Sequence, residues 1–295
     1  MYTITFNKVQ QKNKINKKKN RRACAISIKA VSYTYQMKKI RLVIEYDGGA
    51  YCGWQWQPNG ISIQQVLEQN IGQITGGEKI SLIASGRTDA GVHALGQVAA
   101  FETSSNIAPE KFSGALNVML PNDIRILDAA ECAPNFNPRH DAIKKTYFYL
   151  LSFGRRAPVF FSRYAWNRPR ELDLDAMREA AGHIVGKRDF SSFKAAGCSS
   201  RDQVKNLMEI KIEDICQASF FGADIKGRFL KISVMADGFL RHMVRNIVGL
   251  LVEIGEGKRS ADEVPEIIEC RDRTKSAPTA PARGLFLENV YYREP

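Results

Sequence analysis

The stretch Ile80-Ser81-Leu82-Ile83-Ala84-Ser85-Gly86-Arg87-Thr88-Asp89-Ala90-Gly91-Val92-His93-Ala94, followed by Val98-Ala99-Ala100-Phe101, reads as a strand, a charged small-residue tip and a second strand. Gly86 and Gly91 let the backbone turn sharply and let a ligand approach closely. Arg87 stands two residues from Asp89, and a nearby guanidinium favours an ionised carboxylate, so Asp89 is expected to be charged at neutral pH. A charged carboxylate on a tight loop serves as nucleophile, metal ligand or turn cap. Taken alone, a Gly-flanked Asp is a turn cap that bonds to its own backbone.

Upstream, Ile40, Leu42, Ile44 and Tyr46 alternate with polar positions, which predicts a strand ended by Asp47-Gly48-Gly49. Ser62 and Gln65 form a capping box for a helix with Leu67, Ile71 and Ile74 on one face, stopped by Gly76-Gly77. The strand to Ala84, the Asp89 loop and the strand to Phe101 follow. Pro109 opens a second helix containing Phe112, Leu116 and Met119, and a fourth strand begins at Ile124. This order is β-α-β-β-α-β, the split layout of ferredoxin-like domains.

The remainder repeats that layout with insertions. Strands are expected at 144–153, 204–215, 228–235 and 285–291, and a helix follows Asp173. The longest amphipathic helix follows the Asp237-Gly238 turn, with Leu240, Met243, Val244, Ile247, Leu251 and Ile254 inward. The fold class is therefore α+β: two ferredoxin- or RRM-like halves whose mainly antiparallel sheets join around a central cleft. Residues 37–135 form the first half, 136–143 a linker and 144–295 the second half. Ligands often bind at such a junction.

The chain has 295 residues and a net charge of +12. Nine Lys or Arg and no acid lie in residues 1–36, which leaves +3 for residues 37–295. This segment has no helical or strand period and is expected to be a disordered basic extension. Met37-Lys38-Lys39-Ile40 leads straight into the first strand, so Met37 is the expected natural start. A transit peptide or a phosphate-gripping arm are the alternatives. The mildly basic body permits a nucleic-acid partner without requiring one. No stretch approaches a membrane span. The six cysteines and four histidines are scattered, which points to reduced thiols in a cytoplasmic protein and to no metal site.

Gly91 to Gly96 has phosphate-loop spacing, but Gln97-Val98 stands where Lys and Ser or Thr are needed. Phe136-Asn137-Pro138-Arg139-His140 combines an aromatic ring with a basic side chain, which suits stacking and phosphate contact, against the plain reading of an interdomain loop. In Lys144-Lys145-Thr146-Tyr147-Phe148-Tyr149, the two tyrosines share a strand face opposite Phe148. Core packing and base stacking both use such rings. Cys198-Ser199-Ser200-Arg201-Asp202 reads as a solvated loop. Arg241 and Arg245, with His242 between them, are read as one turn apart on the long helix. Cations at a helix start oppose its dipole, which suggests anion binding.

These residues resemble the tRNA pseudouridine synthase A family. The resemblance rests on Gly86 to Ala94, Ile44 to Gly48, Phe136 to His140, Thr146-Tyr147, Asp189 to Phe193, Phe239 to Gly249 and Pro281 to Leu285, in one order from about Lys38 to the C-terminus. It implies isomerisation of uridine to pseudouridine at positions 38, 39 and 40 of the tRNA anticodon arm, by a homodimer without cofactor or metal. It implies that Asp89 is the nucleophile, that Arg87 helps hold a flipped nucleotide and that Tyr147 packs on the target base. Arg245 matches a basic residue that pairs with the aspartate. Phe136 to His140 and Cys198 to Asp202 match tRNA-contacting segments, with His140 where members often carry a second aromatic.

Two other classes compete. A non-catalytic RNA-binding protein with two RRM-like halves would carry stacking aromatics in an RNP stretch, and none is present. A glycosidase usually needs a second catalytic acid, and the Asp89 loop offers none.

Overall fold

A computed structural model describes residues 37–156, 158–198, 200, 202–215, 218–220, 223–225 and 227–293. The basic extension expected over residues 1–36 lies outside them, as do Ser199 and Arg201.

The first half runs β1 (Lys38–Tyr46), α1 (Ile63–Ile74), β2 (Ile83–Ala84), β3 (His93–Thr103), α2 (Lys111–Met119) and β4 (Ile124–Cys132). Ile40, Leu42, Ile44 and Tyr46 are all buried on β1, as the alternation requires. The Ser62 hydroxyl caps α1 by accepting from the Gln65 amide at 3.2 Å, a contact worth about 1 kcal/mol. Gly76 and Gly77 follow the helix in the left-handed region, at φ 80° and 92°.

The second half runs β5 (Lys144–Phe153), β6 (Trp166–Arg168), α3 (Leu174–Ile184), β7 (Gly186–Asp189), β8 (Val204–Ile215), β9 (Ala218–Phe220), β10 (Ala223–Ile225), β11 (Phe229–Ala236), α4 (Met243–Gly255), α5 (Glu263–Glu269) and β12 (Leu285–Tyr291). Strands β9 and β10 pair only with each other.

The other strands form one sheet in the order β4-β1-β3-β12-β5-β11-β8-β7, with β2 on β3 and β6 on β5. Each half contributes the same pattern. In β4-β1-β3-β2 and again in β12-β5-β11-β8, once the inserted strands β6, β7, β9 and β10 are set aside, the fourth, first, third and second strands of the half lie side by side. The α+β class with two ferredoxin-like halves and a mostly antiparallel sheet is therefore the observed one.

The seam between the halves lies along a single edge of β3. Ile83 and Ala84 of β2 pair with Ala100 and Ala99, whereas Phe286 and Leu287 of β12 pair in parallel with His93 and Ala94. Strand β2 is too short to cover that edge, and β12 takes what it leaves free.

This shortness corrects the expectation of a strand from Ile80 to Ala84. Ile80 and Leu82 are buried, but their segment is not in the ladder. The Leu82 amide donates to Glu68 Oε1 at 2.9 Å and its carbonyl accepts from Gln64 Nε2 at 3.4 Å, both on α1. A further expectation changes. Helix α4 starts at Met243, not after Gly238, because His242 has a left-handed backbone with φ 63°. Leu240, Arg241 and His242 therefore precede the helix. α4 is also buried on nearly every face, with Arg245 and Glu253 outside its buried set. Helix α3 packs against it, and a Cβ on Gly249 would collide with the Pro278 carbonyl of the segment before β12.

Candidate active site

A cleft of about 880 Å³ opens at the seam. The first half contributes loop 52–57 and the stretch 82–92, and the second half contributes Lys145, Tyr147, Leu285 and the stretch 239–245. The Asp89 loop leaves β2 where the sheet passes from one half to the other.

Both halves hold that loop. From the first, the Trp54 amide donates to the Thr88 carbonyl at 3.0 Å, and the buried Tyr46 and Thr88 hydroxyls share a 2.8 Å hydrogen bond. Gln97 binds Gly86 O through Nε2 at 3.0 Å and accepts from Ser85 Oγ at 2.7 Å. The Val92 amide closes the turn onto Asp89 O at 3.1 Å. Two glycines allow this packing. A Cβ on Gly53, whose φ is +103°, would meet Thr88 O at 2.7 Å, and one on Gly48 would collide with Val92 O. From the second half, Lys145 Nζ donates to Ser85 O.

Asp89 is about a quarter exposed and faces the cleft. Its Oδ2 lies 3.3 Å from Arg245 Nη1 and 3.5 Å from His242 Nε2, and its Oδ1 lies 4.0 Å from Arg241 Nε. Arg245 is aimed by a second bond, from Nε to Ala280 O at 2.7 Å. A carboxylate against the first turn of α4 explains how a cation is tolerated there. Burial holds the His242 pKa below its ordinary 6.5; Asp89 pulls the other way, and Arg245, Arg241 and Arg273 add repulsion. The imidazole is therefore neutral at pH 7, and the two guanidiniums are the cations facing Asp89.

Arg87 is exposed on the cleft wall and, among the described residues, makes no ion pair. The expected pairing of Arg87 with Asp89 is thus replaced by contacts from the α4 side. A residue two places away on a turn points its side chain elsewhere, whereas Arg241 and Arg245 arrive from across the cleft.

Tyr147 is buried at the cleft wall, with its ring edge-on to Phe239 at 5.0 Å. Burial is the main cause that pushes its phenol far above its ordinary pKa, with Tyr46 and Asp89 adding to it. Its hydroxyl is therefore a neutral donor at any assay pH. Tyr149, on the same strand face, is fully buried and donates to Pro281 O at 2.8 Å, so it is the core member of the pair.

The two segments expected to contact nucleic acid divide. In Phe136 to His140, Arg139 alone reaches the cleft wall. Phe136 stacks edge-on against Tyr292, and Pro138 O accepts from Tyr292 Oη at 2.8 Å. Asn137 Oδ1 accepts from the Arg139 and His140 amides, which builds a tight turn with an exposed His140. In the second segment, Cys198 and Ser200 line the cleft. Asp202 pairs with Lys205 at 3.1 Å outside it.

Lys145 was not singled out by the sequence, although the signal was there. It stands two residues before Tyr147, and strand alternation puts both on one face. A grouping with metal-ligand chemistry, Glu179 and His183 on α3 with Asp262, has its ligand atoms within 4.8 Å of one another. It does not line the cleft.

A tRNA pseudouridine synthase family model matches residues 42–141 and 180–293. The chain is 43 % identical over 256 residues to tRNA pseudouridine synthase A of Geobacter sulfurreducens, covering 87 % of this chain and 100 % of the relative. The same figures describe its match to tRNA pseudouridine synthase A of Geotalea uraniireducens. To the protein of that name from Syntrophomonas wolfei it is 41 % identical over 258 residues, covering 88 % and 99 %. With the model matching well over half of its residues, the chain belongs to the tRNA pseudouridine synthase family, a family of isomerases.

Proposed function

We propose that this chain isomerises uridine to pseudouridine at positions 38, 39 and 40 of the tRNA anticodon arm, with Asp89 as the nucleophile. The observation that carries the reading is that, among the described residues, Asp89 is the one carboxylate on the cleft wall, which it shares with Arg87, Arg139, Lys145, Arg241 and Arg245. An anionic polymer is drawn into such a cleft, and a lone carboxylate at its centre has no acidic partner for two-acid chemistry.

The reaction breaks the C1′–N1 bond, turns the base and joins C1′ to C5. The C5 proton leaves and N1 gains one, so substrate and product are isomers and no oxidant or energy source is consumed. A carboxylate serves three entries to this path: attack on C1′, removal of the C2′ proton to give a glycal, or addition to C6. The target must first leave the stack, at a cost of about a few kcal/mol. Arg87, which makes no ion pair among the described residues, is suited to filling the vacated space or binding phosphate. Tyr147 gives the base a flat partner and a neutral hydroxyl. The chain acts as a homodimer in the cytoplasm in this reading, and light scattering tests the dimer. No helix among the described residues is long and apolar enough to cross a membrane.

The test is tritium release from transcripts carrying C5-labelled uridine at only one of the three positions. Release at each supports the reading. Tight binding of tRNA without release from any of them would support a binding role instead.

A further inference from the structure

The cations of the cleft divide into two groups. Arg241 and Arg245 face Asp89, the one carboxylate on the wall among the described residues. Arg87, Arg139 and Lys145 line the same cleft and, among the described residues, make no ion pair. Lys145 is the most confined of the three. One ammonium proton goes to Ser85 O, and the other two have no protein acceptor among the described residues. Leaving aside its chain neighbours Ser85 and Arg87, the Lys145 nitrogen is the one atom among the described residues within 4 Å of where a Gly86 Cβ would stand, at 3.5 Å. The ammonium thus lies against the Gly86 backbone. Burial pushes the Lys145 pKa down to about 8, and Arg139 adds repulsion. A confined cation among guanidiniums with no carboxylate is costly until an anion arrives.

We propose that Lys145, with Arg139 and the uncovered backbone at Gly86, forms a phosphodiester subsite that holds a phosphate flanking the target nucleotide. This rests on the function proposed above. The charged group that acts on the ammonium is Arg139, a second cation, while the nearby carboxylate Asp141 acts on Tyr292. Arg139 comes from the segment before β5, and Arg87 and the Ser85 carbonyl come from the Asp89 loop. Tyr147 on the same strand and Tyr292 beyond β12 are phenols that burial keeps neutral. Asp89, in the same cleft, already has its own cations. The sign of the pH dependence follows. Below about pH 8 the ammonium is charged before binding and affinity is flat. Above that, binding must take up a proton, and affinity falls by up to about tenfold per pH unit.

The experiment compares wild type, Lys145→Met and Lys145→Arg for binding of anticodon-arm RNAs. Each RNA carries one neutral methylphosphonate at a phosphate on either side of the target uridine. At one position, wild type and Lys145→Arg are expected to lose about 10- to 100-fold in affinity, the size of a charged hydrogen bond. Lys145→Met, already weakened, should lose little there. Its binding should also be less salt-dependent, by about 0.7 in the slope of log K against log salt. Lys145→Arg should abolish the fall in affinity above pH 8. Equal losses in all three proteins at every position would overturn the subsite and leave Lys145 as a brace for Ser85. A wild type that binds these RNAs but releases no tritium overturns the function proposed above, yet the methylphosphonate comparison still decides the subsite.

Discussion

Arg245 uses its guanidinium twice, through Nε on Ala280 O and through Nη1 toward Asp89. A planar fork can do both, and an ammonium cannot. Arg245→Lys keeps the charge and loses the aim. It is expected to lower kcat/KM about 10- to 100-fold, corresponding to about 1.5–3 kcal/mol for a bond to a charged group, while tRNA binding stays close to wild type. Steady-state kinetics with tRNA checks this, and an unchanged kcat/KM would show that charge alone suffices. The Asp89 loop was legible in the sequence because its glycines and its carboxylate are local signals. The partners of Asp89 were less so. Arg87 is near in sequence but points away, and Arg241 and His242 meet the carboxylate only because the chain turns left-handed at His242 before entering α4.

At the scale of elements, the Asp89 loop is a tip clamped between loops. Gly48, read in sequence only as a turn residue, and Gly53 are points where the segment after β1 touches it. Gly53→Ala introduces both a Cβ at 2.7 Å from Thr88 O and strain at φ +103°. It is expected to destabilise the protein by about 1–3 kcal/mol and to lower turnover more than tRNA affinity. Thermal denaturation with parallel binding and rate measurements checks this; wild-type behaviour in all three would mean that the clamp is dispensable. Strand β1 was legible because its alternation is intrinsic and its burial follows it, whereas β5 and β12 were found as apolar runs without alternation. The short β2 was not. Its neighbours Ile80 and Leu82 carry a strand's pattern, but Glu68 and Gln64 on α1 take the backbone groups that a ladder would use.

At the scale of the molecule, activity depends on two halves meeting along β3 and β12. Asp89 belongs to one half and Arg245 to the other. Across the seam His93, Phe286 and Phe148 form a column of stacked rings, with centroids 4.7 Å apart at each step. Phe286→Ala is expected to cost about 3–5 kcal/mol and to shift the denaturant midpoint accordingly. Turnover measured well below that midpoint should fall as well, because the two halves no longer hold the Asp89–Arg245 spacing. Full turnover in a destabilised protein would show that the column serves folding alone. The repeat of two ferredoxin-like halves could be read from element order, but their joining through a parallel β3–β12 pair could not, since parallel partners far apart in the chain leave no local mark.

The most direct measurement is tritium release from C5-labelled uridine in tRNA, with binding measured on the same proteins, for wild type and Asp89→Ala. The account predicts release by wild type, none by the variant, and similar tRNA affinity for both. Release by Asp89→Ala at a rate near wild type would contradict it.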